Sequence, residues 1–307
     1  MKRLKKIGLI FAVFLVLIAF TAGISINTMT PTYEGQKQLS KLTDGTSVYF
    51  DTYGIPHIYA QNETDAFRTL GYVHAQDRLW QMEILRRIGT GRLSEVFGSK
   101  MLDTDKFFLS LGIDEATKKT ISGLNVNSPM VRLSEAYLDG INQFIAQGST
   151  PIEYYLTGLD KETFDLEDIF NTVGYMAFSF AMAHKTDPLL TNISNKLGNA
   201  YLQDLEINVD ANTEWIQNHK DQKLDSVQNN VTAMVSKALG KLSLPMFEGS
   251  NSWVIAPEKT KNGKVIFAND PHIGFSQPAV WYEAHISTPT YENYGYHLGG
   301  IPFPMLA

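Results

Sequence analysis

The sequence contains no cysteine and has no excess of positive charge. Its 307 residues include 26 lysines and arginines against 32 aspartates and glutamates, for a formal net charge of −6. The absence of cysteine excludes disulfide bonds, a cysteine nucleophile and thiolate metal sites. Because nucleic-acid binding usually requires a basic face, the acidic balance predicts no nucleic acid among the partners.

Charged residues are also missing from one long stretch near the N-terminus. Met1–Lys6 carries four positive charges and precedes an apolar run, Ile7–Ile26, without a charged residue. A run of about 20 apolar residues is long enough to cross a bilayer as a helix, and its basic flank is expected to stay in the cytoplasm. Residues 1–26 are therefore predicted to be a signal peptide or a membrane anchor. Either one places the rest of the protein outside the cytoplasm, membrane-anchored or secreted.

Hydrophobic periodicity divides the rest of the chain into a helical part and a strand-rich part. After two short β-prone runs, the pattern predicts helices at 66–87 (with a break near Gly71), 130–148, 166–184 and 189–205. It then predicts strands at 252–256, 264–268, 281–287 and 294–298. Because helices precede strands instead of alternating with them, the class predicted is α+β.

The segment Gly249-Ser250-Asn251 offers one route to nucleophilic catalysis. A serine at the start of a strand can attack the preceding carbonyl, and glycine on the acyl side tolerates strain and does not crowd the attack. Cleavage would leave Ser250 with both a hydroxyl and an α-amine, whose pKa in model compounds is about 7.7–8.0. One residue would then supply nucleophile and base. Taken alone, the tripeptide is a weak signal, because Gly-Ser-Asn is common in turns and an ordinary turn is the favoured interpretation.

Four segments in order resemble the penicillin acylase family. They are Tyr53–Ala60, Leu70–Glu83 continued by Arg86–Glu95, Gly249–Trp253 and Asn269–Gly274. The resemblance extends from about residue 45 to the end. It implies an N-terminal-nucleophile hydrolase with the αββα fold. It also implies a precursor that cleaves its own chain to give an α/β heterodimer.

The resemblance also implies how the chain is divided. Residues 27–249 correspond to the helical α-chain, with a possible linker at 208–249, and residues 250–307 to the start of the nucleophile-bearing β-chain. The polar stretch 208–241 is a candidate for trimmed peptide. The family's oxyanion-hole groups would lie beyond residue 307. We therefore expect an N-terminal fragment of the precursor, with an incomplete fold and no activity by itself.

Individual site residues follow from the same resemblance. Ser250 matches the nucleophile, Gly249–Ser250 the autocleavage bond, and His272 a position that supports the nucleophile and bonds the tetrahedral intermediate through its backbone. A purely structural histidine is the alternative at that position. The predicted substrate pocket comprises Met182, Lys185, Thr186, Ile273 and Leu306. Each pocket residue could equally be ordinary core, and the aliphatic Ile273 and Leu306 favour an aliphatic acyl group.

The chemistry implied by the resemblance requires no cofactor. Many family members bind a structural calcium ion, and Asp187 is the nearest candidate ligand here. Calcium is thus possible for the full-length protein.

The hypotheses that follow differ in class. The first is an amide hydrolase that removes the acyl group from penicillin-type or N-acyl-homoserine-lactone-type small molecules. A second enzyme hypothesis keeps the reaction but changes the substrate to glutaryl or peptide-like amides. The third is a non-catalytic, membrane-anchored binding protein on the same scaffold.

Overall fold

A computed structural model describes residues 6, 11–17, 23, 29–181, 189–190, 193–205, 207, 237, 240 and 247–306. The chain divides into two compact units made of discontinuous segments. The first unit comprises Met1–Arg86, Thr117–Thr172 and Trp281–Ala307, and the second comprises Arg87–Ala116 and Val173–Val280. The Gly249–Ser250 bond lies within the second unit.

The elements confirm the predicted α+β class. The helices are α1 (Glu63–Gly89), α2 (Ser94–Phe97), α3 (Leu102–Ser110), α4 (Ile113–Ser122), α5 (Pro129–Gln147), α6 (Ile152–Thr157), α7 (Leu166–Phe180) and α8 (Asn199–Asp204). The strands are β1 (Ser47–Phe50), β2 (Pro56–Tyr59), β3 (Phe247–Ile255), β4 (Ile266–Ile273), β5 (Trp281–Ser287) and β6 (Glu292–Leu298).

A four-stranded sheet organises the first unit. Its order is β1-β2-β5-β6, with β2 and β5 parallel and the other neighbours antiparallel. Alternation along each strand sends one set of side chains into the core. Ile58, Tyr282, Ala284 and Ile286 are buried there in one cluster with apolar residues of α1 and α5. The opposite face of the sheet carries polar and aromatic side chains.

Two glycines let α1 and α5 cross at very short range. A Cβ atom at Gly71 would lie 1.9 Å from the carbonyl oxygen of Tyr137, and one at Gly140 would lie 1.9 Å from that of Arg68. The predicted break near Gly71 is wrong, because α1 runs unbroken from Glu63 to Gly89. Glycine is present there for the approach of α5, and this contact offsets its low helix propensity.

The second unit has its own aromatic cluster and a short capping network. Phe108 contacts Phe107, Tyr175 and Phe178 at ring-centroid distances of 5.3, 5.7 and 5.6 Å. The Asp105 carboxylate accepts hydrogen bonds from the backbone N–H groups of Leu93 and Ser94, at 2.8 and 2.7 Å. These bonds satisfy backbone donors at the start of α2, which would otherwise lack partners.

The strands of the second unit are longer than predicted. β3 begins at Phe247 instead of residue 252, and β4 extends to Ile273 instead of ending at residue 268. The prediction that Ser250 starts a strand is therefore wrong, since Ser250 lies inside β3. Polar residues from Asn269 to His272 weakened the sequence signal, but continuous pairing with β3 holds them in the strand.

The predicted N-terminal segment lies mostly outside the described residues. Of its apolar run, residues 11–17 are helical and exposed. Among the helices that the structure describes, none combines the length and apolar character needed to cross a membrane. The assignment of residues 1–26 stays a prediction, as do the 27–249 and 250–307 chain boundaries.

Candidate active site

The predicted nucleophile lies in an antiparallel hairpin formed by β3 and β4. Ser250 is paired with Pro271, Gly249 with His272, and Asn251 with Asp270. A β-bulge between Phe247 and Gly249 is the one recorded shift in this pairing. The hairpin therefore brings His272 next to Gly249 and Ser250, although His272 follows Ser250 by 22 residues in the sequence.

The register assigns Ser250 and His272 to opposite faces of the hairpin. Directly paired residues share a face, and successive residues alternate between faces. Gly249, Asn251, Asp270 and His272 thus share one face, while Ser250 shares the other with Pro271. A Cβ atom built on Gly249 would lie 3.7 Å from Nδ1 of His272, which agrees with a shared face. The imidazole of His272 is consequently directed away from the Ser250 side chain.

On its own face, His272 has two polar neighbours. Its Nε2 lies 2.8 Å from Oδ2 of Asp270 and 3.5 Å from Nδ2 of Asn251. All three side chains are exposed, so the His272–Asp270 pair lies in a solvent-screened setting. The sequence contains a signal for this pair, because residues two apart on a strand share a face.

The bond predicted to be cut shows no left-handed backbone. Gly249 is absent from the positive-φ residues of the described chain, and a side chain there would make only an ordinary contact. The expectation of strained dihedrals at Gly249 is thus not met in the uncut chain. The adjacent β-bulge is the local irregularity at this bond, and bulges commonly redirect the strand near functional sites.

The predicted pocket residues are only partly described. Met182, Lys185 and Thr186 lie outside the described residues. Ile273 is the last residue of β4 in the second unit, and Leu306 is bridged to Tyr296 in the first unit. Both side chains are half-buried. Their assignment to one pocket stays a prediction.

A calcium site would require several oxygen donors grouped around one ion. Asp187, the predicted calcium ligand, lies outside the described residues. Within the described part of the chain, no group of three or more histidine, aspartate or glutamate side chains is arranged to hold an ion. The residues described thus offer no calcium site, and we assign no step of the chemistry to one.

Comparison with known proteins shows which family the chain resembles. The sequence pattern of the penicillin amidase family matches residues 46–307. The penicillin acylase 2 proenzyme of Pseudomonas sp. strain SE83 is 31% identical over 294 residues, covering 92% of this chain and 37% of that protein. The acyl-homoserine lactone acylase QuiP of Pseudomonas aeruginosa is 27% identical over 279 residues, covering 89% of this chain and 33% of that protein.

A solved structure shows a weaker likeness. The thermostable penicillin G acylase from Alcaligenes faecalis is 23% identical, with a TM-score of 0.43, and the match covers 57% of this chain and 97% of that chain. The chain spans about a third of the length of the curated relatives described above, at 37% and 33%. Because the family pattern covers most of the chain and one relative exceeds 30% identity over 92% of it, this chain belongs to the penicillin amidase family.

Proposed function

We propose that the protein containing this chain is an acylase that hydrolyses a small-molecule amide through an acyl-enzyme on Ser250. The observation that carries the proposal is the position of Gly249–Ser250 next to a β-bulge in the β3–β4 hairpin, paired with Pro271 and His272, within a chain of the penicillin amidase family. Penicillin-type and N-acyl-homoserine-lactone-type amides are the proposed substrates, since relatives of both kinds match the chain.

The proposed chemistry begins with cleavage of the chain itself. The Ser250 hydroxyl attacks the Gly249 carbonyl, the peptide becomes an ester, and water releases a new chain that begins with Ser250. The freed α-amine is substantially neutral near pH 8, so it can take the hydroxyl proton when Ser250 attacks a substrate carbonyl. Water then hydrolyses the acyl-enzyme. In this scheme both nucleophile and base come from one residue.

The proposed role of His272 uses its backbone. Its ring shares a face with Asp270 and not with Ser250, so it is poorly directed to act as the base. Its backbone is in the strand next to Ser250 and can hold the position of β3 after the chain is cut. The Asp270 contact then fixes the ring without taking part in proton transfer.

Processing and location belong to the same proposal. Cleavage at Gly249–Ser250 would yield an α/β heterodimer, with residues 208–249 as the candidate linker. Residues 1–26 are proposed to direct the protein out of the cytoplasm, as a cleaved signal or as an anchor. The N-terminal sequence of the α-chain isolated from a membrane fraction distinguishes the two, because an anchor keeps Met1.

The experiment is an assay of the protein expressed from its complete reading frame. Hydrolysis of N-acyl-homoserine lactones with aliphatic chains is compared with that of phenylacetyl and glutaryl amides, beside a Ser250→Ala variant. The proposal predicts turnover that the variant lacks, with aliphatic acyl groups preferred. Equal activity of both proteins excludes Ser250 as the nucleophile. Binding of these amides without turnover supports the alternative, a binding protein on the same scaffold.

A further inference from the structure

A pair of histidines lies in the first unit, on the face of the four-stranded sheet opposite its core. His57 of β2 and His285 of β5 are directly paired across the two parallel strands. Their Nδ1 atoms are 3.1 Å apart, and the ring centroids are separated by 5.1 Å with an interplanar angle of 72°. Two ring nitrogens at this separation must share one hydrogen, because one has to donate and the other accept.

Each ring also has a carboxylate near its other nitrogen. Nε2 of His57 is 3.7 Å from Oδ2 of Asp51, and Nε2 of His285 is 3.7 Å from Oε1 of Glu292. These are ion-pair distances, slightly longer than hydrogen bonds. Asp51 is held in place by its second oxygen, Oδ1, which accepts from the backbone N–H groups of Tyr53 and Ile55 at 2.8 and 2.9 Å. The arrangement is thus carboxylate, imidazole, imidazole, carboxylate.

This order is the one found around metal-bound histidines. A ligating imidazole almost always directs its other N–H to a carboxylate, a backbone carbonyl or a water, which fixes the tautomer and increases the basicity of the ligand nitrogen. Two nitrogens bound to one tetrahedral Zn²⁺ ion at 2.0–2.1 Å lie about 3.4 Å apart. The observed Nδ1–Nδ1 distance of 3.1 Å is within a few tenths of an ångström of that value.

The geometry points to a transition-metal site in which Nδ1 of His57 and Nδ1 of His285 bind one divalent ion. Imidazole ligands suit Zn²⁺, Cu²⁺ and Ni²⁺, whereas Ca²⁺ and Mg²⁺ prefer oxygen. Asp51 and Glu292 are the outer partners of the two rings, and water completes the coordination. The described residues contain no group of three or more donors that could hold a metal ion. The site proposed here has only two protein ligands, so it does not require such a group. The side chains of His57 and His285 retain 26% and 14% of their exposure, so the ion can enter.

Binding of the ion requires the hydrogen between the two rings to move. The hydrogen shared between the two Nδ1 atoms has to leave, either to solvent or to the Nε2 of the same ring. The charged groups that face the pair are Asp51, which follows β1, and Glu283 and Glu292 of β5 and β6. The titratable phenols on the same face are those of Tyr49, Tyr59 and Tyr294. Tyr294 has a pKa raised to about 12 by its hydrogen bond to Glu283, so its phenol keeps its proton and does not compete as a ligand.

The ion would join parts of the chain that are far apart. His57 and His285 are 228 residues apart and lie on either side of Gly249–Ser250. If that bond is cut, which rests on the proposed function, the ion links the two resulting chains. The test is therefore made in the uncut Ser250→Ala protein, where the failure of autocleavage has no influence on metal binding.

Zn²⁺ is titrated calorimetrically into the Ser250→Ala protein, and Cu²⁺ binding is followed by electron paramagnetic resonance. We expect one ion per chain of the Ser250→Ala protein. When all its histidines are present, the Cu²⁺ spectrum should show hyperfine splitting from two nitrogen donors. His57→Asn and His285→Asn are expected to abolish binding. Asp51→Asn and Glu292→Gln should each weaken it about 10–100-fold, as is usual for outer partners of ligating histidines.

Matched controls remove other histidines. His272→Asn changes an exposed histidine beside a carboxylate in the second unit, and His219→Asn changes one outside the described residues. Both are expected to retain full affinity. Circular dichroism confirms that each variant is folded. The Cu²⁺ hyperfine signal from two nitrogen donors is measured in the Ser250→Ala protein with all its histidines, so it does not depend on the folding of any histidine variant. Absence of that signal, or binding that survives both His57→Asn and His285→Asn, overturns the proposal.

Discussion

Ser250 and His272 belong to neighbouring strands, yet their side chains lie on opposite faces of the β3–β4 hairpin. Ser250 shares its face with Pro271, while His272 shares its face with Gly249 and Asp270. The arrangement separates the side chain of Ser250 from the imidazole of His272. It is consistent with a base supplied by the α-amine of Ser250 itself, and it gives the role of His272 a direct test.

Replacing the His272 ring should have a small effect. For His272→Ala we predict that kcat/KM falls by less than about tenfold, because the ring does not face Ser250 and the backbone is kept. Asp270→Asn, which removes the partner of the ring, should have a similarly small effect. Steady-state hydrolysis of a single amide substrate measures both. A loss of about a thousandfold in His272→Ala would instead identify the ring as a proton-transfer group.

Gly249→Ala should separate folding from cleavage. A methyl group there makes only a 3.7 Å contact, and no positive φ is required. Glycine within a strand costs about 0.5–1 kcal/mol relative to alanine, so the uncut precursor should be equally or slightly more stable.

Cleavage of the same Gly249→Ala variant should be slower, by about tenfold, because the methyl group crowds the carbonyl that Ser250 attacks. Denaturant unfolding in the Ser250→Ala background gives the stability, and the time course of fragment formation gives the rate. A strongly destabilised Gly249→Ala precursor would show that a methyl group cannot be accommodated at this position.

Because α1 and α5 cross at very short range, adding one methyl group at Gly140 should strongly lower the free energy of unfolding. In Gly140→Ala the Cβ atom would meet the backbone carbonyl of Arg68, which cannot move without shifting α1. Overpacking of this kind typically costs 1–3 kcal/mol and sometimes more, and we predict about 3 kcal/mol. The control is Gly123→Ala, whose nearest contact is an ordinary 3.5 Å and whose cost should be below about 0.5 kcal/mol. Equal stability of the two variants, measured by urea unfolding, would refute the close crossing.

Buried histidines predict loss of stability in acid. His297 is fully buried, and burial lowers its pKa to about 4, although backbone groups of Ile301 and Pro302 partly offset this. The unfolded chain takes up this proton near pH 6.5, whereas the folded chain does so only near pH 4. The stability contribution is therefore complete above pH 6.5 and is lost as the pH falls toward 4, by roughly 3 kcal/mol in all. Burial also lowers the pKa of His74, which adds to the effect in the same direction.

The measurement for this prediction is the unfolding free energy of the uncut protein at pH 7 and pH 4.5. His297→Gln removes the titrating group, so its stability should decline less over this interval than that of the protein with His297. An identical decline in both proteins would mean that His297 does not stay neutral in the folded state.

The sequence predicted the class of the fold and the residues of the hairpin, but not the geometry between them. Helices and strands follow from local periodicity, and the match of four segments pointed to the family and its N-terminal-nucleophile fold. The length of β3 did not follow, because the pairing partners of polar residues such as Asn269 and Asp270 are set by the neighbouring strand. Gly71 looked like a helix break, since the close approach of α5 is a tertiary contact that no local pattern records. The contact of His57 with His285 could not be predicted either, because the two residues are 228 positions apart in the sequence.

The central claim is that Ser250 cuts the chain before it acts on a substrate. The most direct measurement is the intact mass and N-terminal sequence of the protein expressed from its complete reading frame, beside Ser250→Ala. The account predicts a fragment that begins Ser250-Asn251-Ser252 in the first protein and a single uncut chain in the second. A single uncut chain in both, or the same fragment in both, would contradict it.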